Sequence, residues 1–217
     1  MREHRTISIA DQIFEQLERD ILTGKYPKGE VLSELRLSSE LGVSRTPVRE
    51  AVRRLEQENI LKETGRGMMV VGISREDMMD MYEVRMQLEG LAARRAAANI
   101  SDEQLKDMED CLALQRFYVE KQDGGSPEQI RDMDSRFHQL LYESSGSRAY
   151  QEILKALHKK IVKYRCASIS KQTRAVHSLA EHRAIYEALA AHDGDAAEKA
   201  ALEHVANARD SMMKMEM

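Results

Sequence analysis

Tryptophan is absent from this 217-residue chain, phenylalanine occurs three times, and aromatic residues make up only 5% of it. Such a composition argues against a sheet-rich fold, whereas the abundance of Ala, Leu, Met, Glu and Arg favours helices. Cysteine is nearly as scarce. Cys111 and Cys166 stand alone without C-x-x-C spacing, which makes a disulfide framework or a thiolate zinc site improbable and leaves them as reduced fillers. Long apolar runs are missing too. No window approaches the roughly 18 apolar residues of a membrane span, and Met1 to Ala10 is polar with no apolar signal region, so a cytoplasmic protein is expected. The net charge of −4 excludes a general basic coat for nucleic acid. What is present is a hydrophobic content of 42%, enough to build one large core or two smaller ones, in a mostly α protein.

The charge is unevenly divided. Residues 1–72 hold 12 basic and 12 acidic side chains, and the rest of the chain holds 21 and 25, so the acidic excess lies wholly in the second part. Within the first part, Gly42-Val43-Ser44-Arg45-Thr46-Pro47-Val48-Arg49 reads as the tight turn and opening of a helix. Gly42 can take the positive φ that ends a preceding helix, Ser44 suits an N-cap, and Pro47 falls in the first turn. Val48, Val52 and Leu55 then form a narrow apolar stripe, while Arg45, Arg49 and Arg53 recur every four residues on another face. Guanidinium forks read guanine O6 and N7 in the major groove, and Ser44 and Thr46 can bond phosphate at the helix start. A bare R-x-x-x-R is more often a solvated face; its place after a Gly-Val-Ser turn is what points to DNA. Upstream, Ile9, Ile13, Phe14, Leu17, Ile21 and Leu22 mark a first helix, and Ser33 caps a second. Downstream, Ile60–Glu63 and Met68–Val71 flank Thr64-Gly65-Arg66-Gly67 as strand, turn and strand. Arg66 at that tip can enter a minor groove or simply be solvated.

The run Leu32-x-Glu34-x-x-Leu37-Ser38-x-x-Leu41-Gly42-Val43-Ser44-Arg45-Thr46-Pro47-Val48-Arg49-Glu50-Ala51 resembles the DNA-binding module of the GntR family of bacterial transcription regulators. The resemblance implies a winged helix-turn-helix with DNA contacts from Ser44, Arg45, Thr46, Arg49, Arg53, Arg66 and Gly67. One departure stands out: several relatives carry a DNA-contacting arginine after the glutamate of the second helix, where this chain has Leu35.

Beyond Gly72-Ile73 no strand pattern appears. Ser74-x-x-Asp77, Ser101-x-x-Gln104, Ser126-Pro127-x-Gln129 and Asp195-x-x-Glu198 mark helix starts, giving six helices near 75–98, 101–122, 127–144, 147–169, 173–192 and 195–214. The expected organisation is therefore an N-terminal winged helix-turn-helix over 1–72 and a C-terminal antiparallel six-helix bundle over 73–217. Asp134 and His138, at i and i+4, share a face with Ile130 and Leu141; His182 lies among Leu179, Ile185, Tyr186 and Leu189; His204 lies among Ala197, Ala201 and Ala208. Three imidazoles and a carboxylate on inward faces would all be satisfied by a divalent metal. A histidine on an apolar face is, however, more often a hydrogen-bonded core residue. His4, His158, His177 and His192 fall outside the pattern and read as surface or core residues.

Asp134-x-x-Phe137-His138-x-x-Leu141, Glu181-His182-x-x-Ile185-x-x-Ala188 and Asp195 through His204 are together similar to the FCD effector domain of the FadR branch of that family, in its six-helix, VanR-like form. In metal-binding members an Asp and three His hold the ion and a carboxylate effector completes its coordination. The resemblance thus implies Asp134, His138, His182 and His204 as ligands, with zinc or nickel as the expected ion. Arg85 and Glu89 match the family's R-x-x-x-E, so Arg85 either clamps the effector carboxylate or pairs internally with Glu89; Arg165 is a weaker effector candidate. Where many relatives have Asn after the Ser-Gly turn, this chain has Ser147.

The function these features imply is a ligand-responsive transcription regulator, a repressor, acting as a homodimer on a pseudo-palindromic operator. Two other classes compete with it. A metal that only staples the bundle would leave a DNA binder without effector response. A metalloenzyme would need a general base beside the metal, and those faces offer no dedicated one; an enzyme is not expected.

Overall fold

In the computed structural model, residues 8–121, 126–166 and 172–214 are described, with side chains given for all of these except 163–166, 172 and 173. Its contacts divide the chain into two compact units, Met1–Ser74 and Arg75–Met217.

The first unit opens with α1, Ile9–Leu22, whose start is held reciprocally: Asp11 N–H donates to Ser8 Oγ, and Ser8 N–H to the Asp11 carboxylate. Helix α2 spans Glu34–Leu41 and α3 spans Arg45–Gln57, joined through Gly42 at φ 66°, the left-handed cap expected of that glycine. Val48, Val52 and Leu55 are buried as their spacing predicts, joined by Ala51 and packed with Ile13, Leu17 and Leu37 into one core. Ser44 occupies the N-cap of α3 but makes no capping bond with its side chain. A capping hydroxyl takes the N–H of the second or third helical residue; Pro47, the third, has none, which leaves Thr46 N–H as the one remaining donor.

Strands β1 (Val31–Leu32), β2 (Leu61–Thr64) and β3 (Gly67–Val70) form an antiparallel sheet in the order β1-β3-β2. Two residues are too few to show alternation, so β1 leaves no mark in the sequence; it pairs Val31 with Met69 and Leu32 with Met68. Gly67 sits at φ +133°, and a Cβ there would stand 2.8 Å from the Leu32 carbonyl oxygen. This backbone contact alone requires glycine.

The second unit is all helix among the described residues: α4 Arg75–Asn99, α5 Asp102–Glu120, α6 Pro127–Ser144, α7 Arg148–Cys166, α8 Gln172–Ala190 and α9 Gly194–Met213. Ser101 and Gln104 form a capping box on α5, and Ser126 caps α6. The last helix starts earlier than expected: Asp193, not Asp195, accepts from the Ala196 N–H, which frees Asp195 and Glu198 to pair with Arg94. Helix α4 packs against α6, α7, α8 and α9, and so is buried on more than one side. Its Ala92, Ala93, Ala96 and Ala97 are fully buried, and α9 answers with Ala197 and Ala201. Small side chains let the two helices approach closely: a Cβ on Gly90 would lie 3.2 Å from the Leu202 side chain. Among the described residues no helix is long and apolar enough to cross a membrane.

Candidate functional site

Two sets of side chains invite a functional reading, one on each unit. On α3, Arg45 and Arg53 are exposed and make no hydrogen bond or ion pair among the described residues. Arg49 differs. Its Nε donates to Glu34 Oε1 at 3.1 Å and its Nη2 to Glu34 Oε2 at 3.1 Å, a fork that ties the middle of α3 to the first residue of α2. Arg54 turns the other way, donating to Asp11 at 2.6 Å with its guanidinium 4.1 Å from the Phe14 ring, so it serves the core. Ser44, Thr46 and Arg66 are exposed, Gly67 is half-buried against β1, and Leu35 is an exposed leucine on α2.

In the bundle, His138 on α6, His182 on α8 and His204 on α9 are all buried, with one ring nitrogen of each within 4.8 Å of the others. Each ring is also held from its far side. His138 Nδ1 lies 3.0 Å from Glu89 Oε1 of α4, His182 Nδ1 3.0 Å from Gln115 Oε1 of α5, and His204 Nδ1 2.8 Å from Glu181 Oε2 of α8. Phe137 stacks on the His182 ring at 4.1 Å. Asp134, one turn before His138, stands at the edge: its Oδ1 is 3.8 Å from His182 Nε2 and accepts from Ser178 Oγ at 3.3 Å.

The protonation pattern follows from the partners. Burial alone would raise the Glu89 carboxyl, but the Arg85 guanidinium and His138 hold it well below its ordinary value. Burial likewise opposes ionisation of Glu181, yet His204 and Arg174 bring it to about 2. Ionised carboxylates only accept, as does the Gln115 carbonyl oxygen, so Nδ1 carries the proton in all three rings. Burial, then the neighbouring imidazoles, push His182 well below its normal range, and burial lowers His204 to about 4 against the pull of Glu181. Neutral His182 and His204 therefore turn their Nε2 lone pairs inward, and His138 turns its Nε2 toward His204.

This donor set fits a metal ion. His138 Nε2 and His204 Nε2 are 3.2 Å apart, a separation at which one ion can be bound by both rings. Arg85 is the competing cation: its Nη2 lies 3.1 Å from His138 Nε2 while Nε and Nη2 grip Glu89 at 2.7 and 3.2 Å. Tyr142 completes this knot by donating to Glu89 Oε2 at 2.7 Å, and burial followed by the Glu89 charge raises its hydroxyl well above the normal range. Arg85 thus makes the internal pair that the sequence left open.

His158 is the group sequence reasoning missed. Read there as a residue outside the pattern, it lies 4.5 Å from the His138 ring, buried at 6% exposure, with both ring nitrogens lacking a hydrogen-bond partner. Its position between Leu154 and Ile161 on the inward face of α7 was the available signal. Gln115, Glu181 and Glu89 were also unassigned as supports for the imidazoles, because each comes from a different helix. His177 is exposed, and His192 is engaged with the Ala97 carbonyl at 2.8 Å. The side chain of Arg165 and all of His4 lie outside the described residues.

Comparison with known proteins places both units. Residues 9–71 match the family described as bacterial regulatory proteins, gntR family, and residues 80–207 match the FCD domain. The chain is 30% identical over 194 residues to the uncharacterized HTH-type transcriptional regulator YdhC of Bacillus subtilis, covering 89% of this chain and 86% of that protein. It is 29% identical over 211 residues to the HTH-type transcriptional repressor RspR of Escherichia coli, covering 97% and 91%. The solved structure of E. coli McbR/YncC aligns with a TM-score of 0.70 at 22% identity, over 96% of this chain and 99% of that one, a likeness of fold.

Proposed function

Because the chain belongs to the gntR family of bacterial regulatory proteins and couples that family's DNA-binding module to an FCD domain, we propose that it is a cytoplasmic, homodimeric repressor whose hold on a pseudo-palindromic operator is set by a small carboxylate bound at a divalent metal. The family and the relatives are transcription regulators, not enzymes. The finer reading rests on one observation above the others: three buried imidazoles from three helices turn ring nitrogens to a common point, each braced from behind by an oxygen acceptor.

His138, His182 and His204 would hold the ion, with Asp134 beside them; zinc or nickel suits imidazole-rich ligation. When bound, the ion supplies a Lewis-acidic position for an anionic oxygen. A dication held by imidazoles favours an anionic oxygen such as a carboxylate as its further ligand. Arg85, already against His138, is the cation placed to meet such an anion.

Outside the bundle, Arg45 and Arg53 present free guanidinium groups, Arg49 is held by Glu34, and the uncapped start of α3 leaves backbone N–H groups for phosphate. The acid acts only through its differential affinity for the DNA-competent arrangement, a coupling of about 1–3 kcal/mol.

The test uses chelated full-length protein, reloaded with zinc or nickel, on fluorescent DNA from upstream of its own gene. Sugar acids, hydroxy acids and dicarboxylates are screened by thermal shift and then added to the DNA titration. Metal-loaded protein binds in a salt-sensitive, sequence-selective way, and a stabilising acid changes that affinity only while metal is present. His182→Ala loses the metal and the acid response but keeps DNA binding. Stoichiometric metal in His182→Ala would sink the ligand assignment, and an acid-insensitive affinity with a chelator-sensitive melting temperature would reduce the ion to a staple.

A further inference from the structure

A bundle assembled to hold only an ion needs no further polar groups around it, yet several buried ones lack a hydrogen-bond partner. Among the described residues of the second unit these include the Tyr82 hydroxyl, both ring nitrogens of His158, the Gln115 amide nitrogen and Arg174 Nε. Gln115 touches His182 and Arg174 holds Glu181, so those two belong to the outer support of the imidazoles. Tyr82 and His158 make no such brace among the described residues.

Their surroundings point to a different task. Tyr82 is fully buried one turn before Arg85 on α4, and the two share the face that also carries Glu89. His158 is buried on α7, which packs on α4, with its ring 4.5 Å from that of His138. Asp134 Oδ2 stands 3.9 Å from its Nε2, beyond hydrogen-bond reach. Arg85 is coupled to both groups. Burial works against its charge while Glu89, Tyr142 and Tyr82 uphold it, and burial, then His138 and Arg85, keep the His158 ring neutral.

Each orphaned group forfeits bonds it would make with water, and a phenylalanine would fill either place without that loss. Their chemistry says what would satisfy them. A phenol hydroxyl both donates and accepts, and a neutral imidazole offers one donor and one acceptor. A carboxylate only accepts and calls for cations, whereas a hydrocarbon offers nothing. An alcohol both gives and takes a hydrogen bond, so it suits the two groups together.

We propose that Tyr82 and His158 form a hydroxyl-binding subsite beside the ion, so that the acid sensed by this bundle is a hydroxylated monocarboxylate. Its carboxylate faces the metal and Arg85, and a hydroxyl group is held by Tyr82 and His158. This rests on the reading of a carboxylate bound at a metal held by His138, His182 and His204, and it narrows that reading. A dicarboxylate sets a second charge against neutral groups, and a plain fatty acid leaves both of them unpaired. Sites built to hydrogen-bond a hydroxyl reject the analogue that lacks it for that reason.

Matched acids test this on zinc-loaded full-length protein by isothermal titration calorimetry: propionate against lactate, butyrate against 3-hydroxybutyrate, hexanoate against gluconate, with succinate as the dicarboxylate. In at least one pair the hydroxylated acid binds about 5- to 150-fold more tightly than its plain counterpart, the worth of two net hydrogen bonds, and more tightly than succinate. Tyr82→Phe and His158→Phe each shrink that preference toward parity. Their zinc affinity, read by competition with a chromogenic chelator, stays native, and their metal-free melting temperatures do not fall. Tyr82→Phe removes only an oxygen and carries the test alone should the change at position 158 disturb packing. No preference in any pair, or tighter binding of succinate, overturns the proposal. So does a preference that survives both variants, which assigns the hydroxyl to the ion as a chelating ligand. Weakened zinc binding by a His158→Phe of native melting temperature also overturns it, by making that imidazole a metal ligand. A chain that binds zinc but none of these acids overturns the carboxylate reading instead, and one that takes up no zinc overturns the ligand set beneath it.

Discussion

An arginine–glutamate fork occurs in each half of this protein, and the two could hardly be placed more differently. Arg49 and Glu34 join α3 to α2 with side chains 67% and 33% exposed, whereas Arg85 and Glu89 pair within α4 at 2% and 0%. The exposed fork costs little to open, because water or a base edge can replace either partner. The buried fork cannot be opened without stranding a charge in a medium that does not solvate it. The winged unit thus keeps its reactive groups where a macromolecule can exchange with them, and the bundle keeps its own where only something small enough to enter can.

Removing one buried partner breaks that contrast most severely. Glu89→Ala leaves Arg85 uncompensated and strips His138 of its brace; stability of the bundle falls by about 3–5 kcal/mol, read as a separate early transition in urea melts. An unchanged urea midpoint for the bundle would mean that Arg85 is solvated in the native state. Acidification acts next in size. His204 titrates near 4 in the folded chain against 6.5 unfolded, so below about pH 6.5 the unfolded chain binds the extra proton first. The stability it contributes is complete above that pH and is lost as pH falls through 4, on the order of 3 kcal/mol from this residue, with His182 adding in the same direction. Metal-free protein followed by far-UV circular dichroism from pH 7 to 4 tests this; a flat stability profile contradicts it.

On the winged side, Arg49→Ala should lower affinity for the specific site by about 5- to 150-fold if the arginine reads a base, leaving the melting curve nearly unmoved. Equal losses on specific and random DNA would reassign Arg49 to phosphate. The smallest effect is that of Glu34→Ala, which frees Arg49 without uncovering any core: thermal stability stays close to native, while binding to random DNA strengthens as an acid leaves the face. A large fall in melting temperature would show that the exposed fork is structural after all.

The parts that could be read from sequence share a physical character. The α3 stripe of Val48, Val52 and Leu55, the Gly42 turn and the caps at Ser33, Ser101 and Ser126 are local, so spacing alone reports them. Asp134, His138, His182 and His204 were accessible because polar residues on inward helical faces break an apolar pattern. What stayed hidden depends on neighbours far apart in the chain: the Glu34 hold on Arg49, the Gln115 and Glu181 braces, and strand β1, too short to carry a period. His158 was visible as an inward histidine but had no partner in sequence to give it meaning. The cap of α9 lies at Asp193, two residues before the expected Asp195, because Asp195 and Glu198 offer the same cap spacing, and Arg94, which claims both, lies on another helix.

The seam between α4 and α9 carries a mechanical consequence. With a Cβ at position 90 only 3.2 Å from Leu202, an alanine there would act as a shim, pushing a rod whose next inward polar residue is His204. A single methyl, chemically inert, would then be felt as a displaced imidazole. The geometry of such a centre can drift through its hydrocarbon fittings, with every polar residue of the centre left intact.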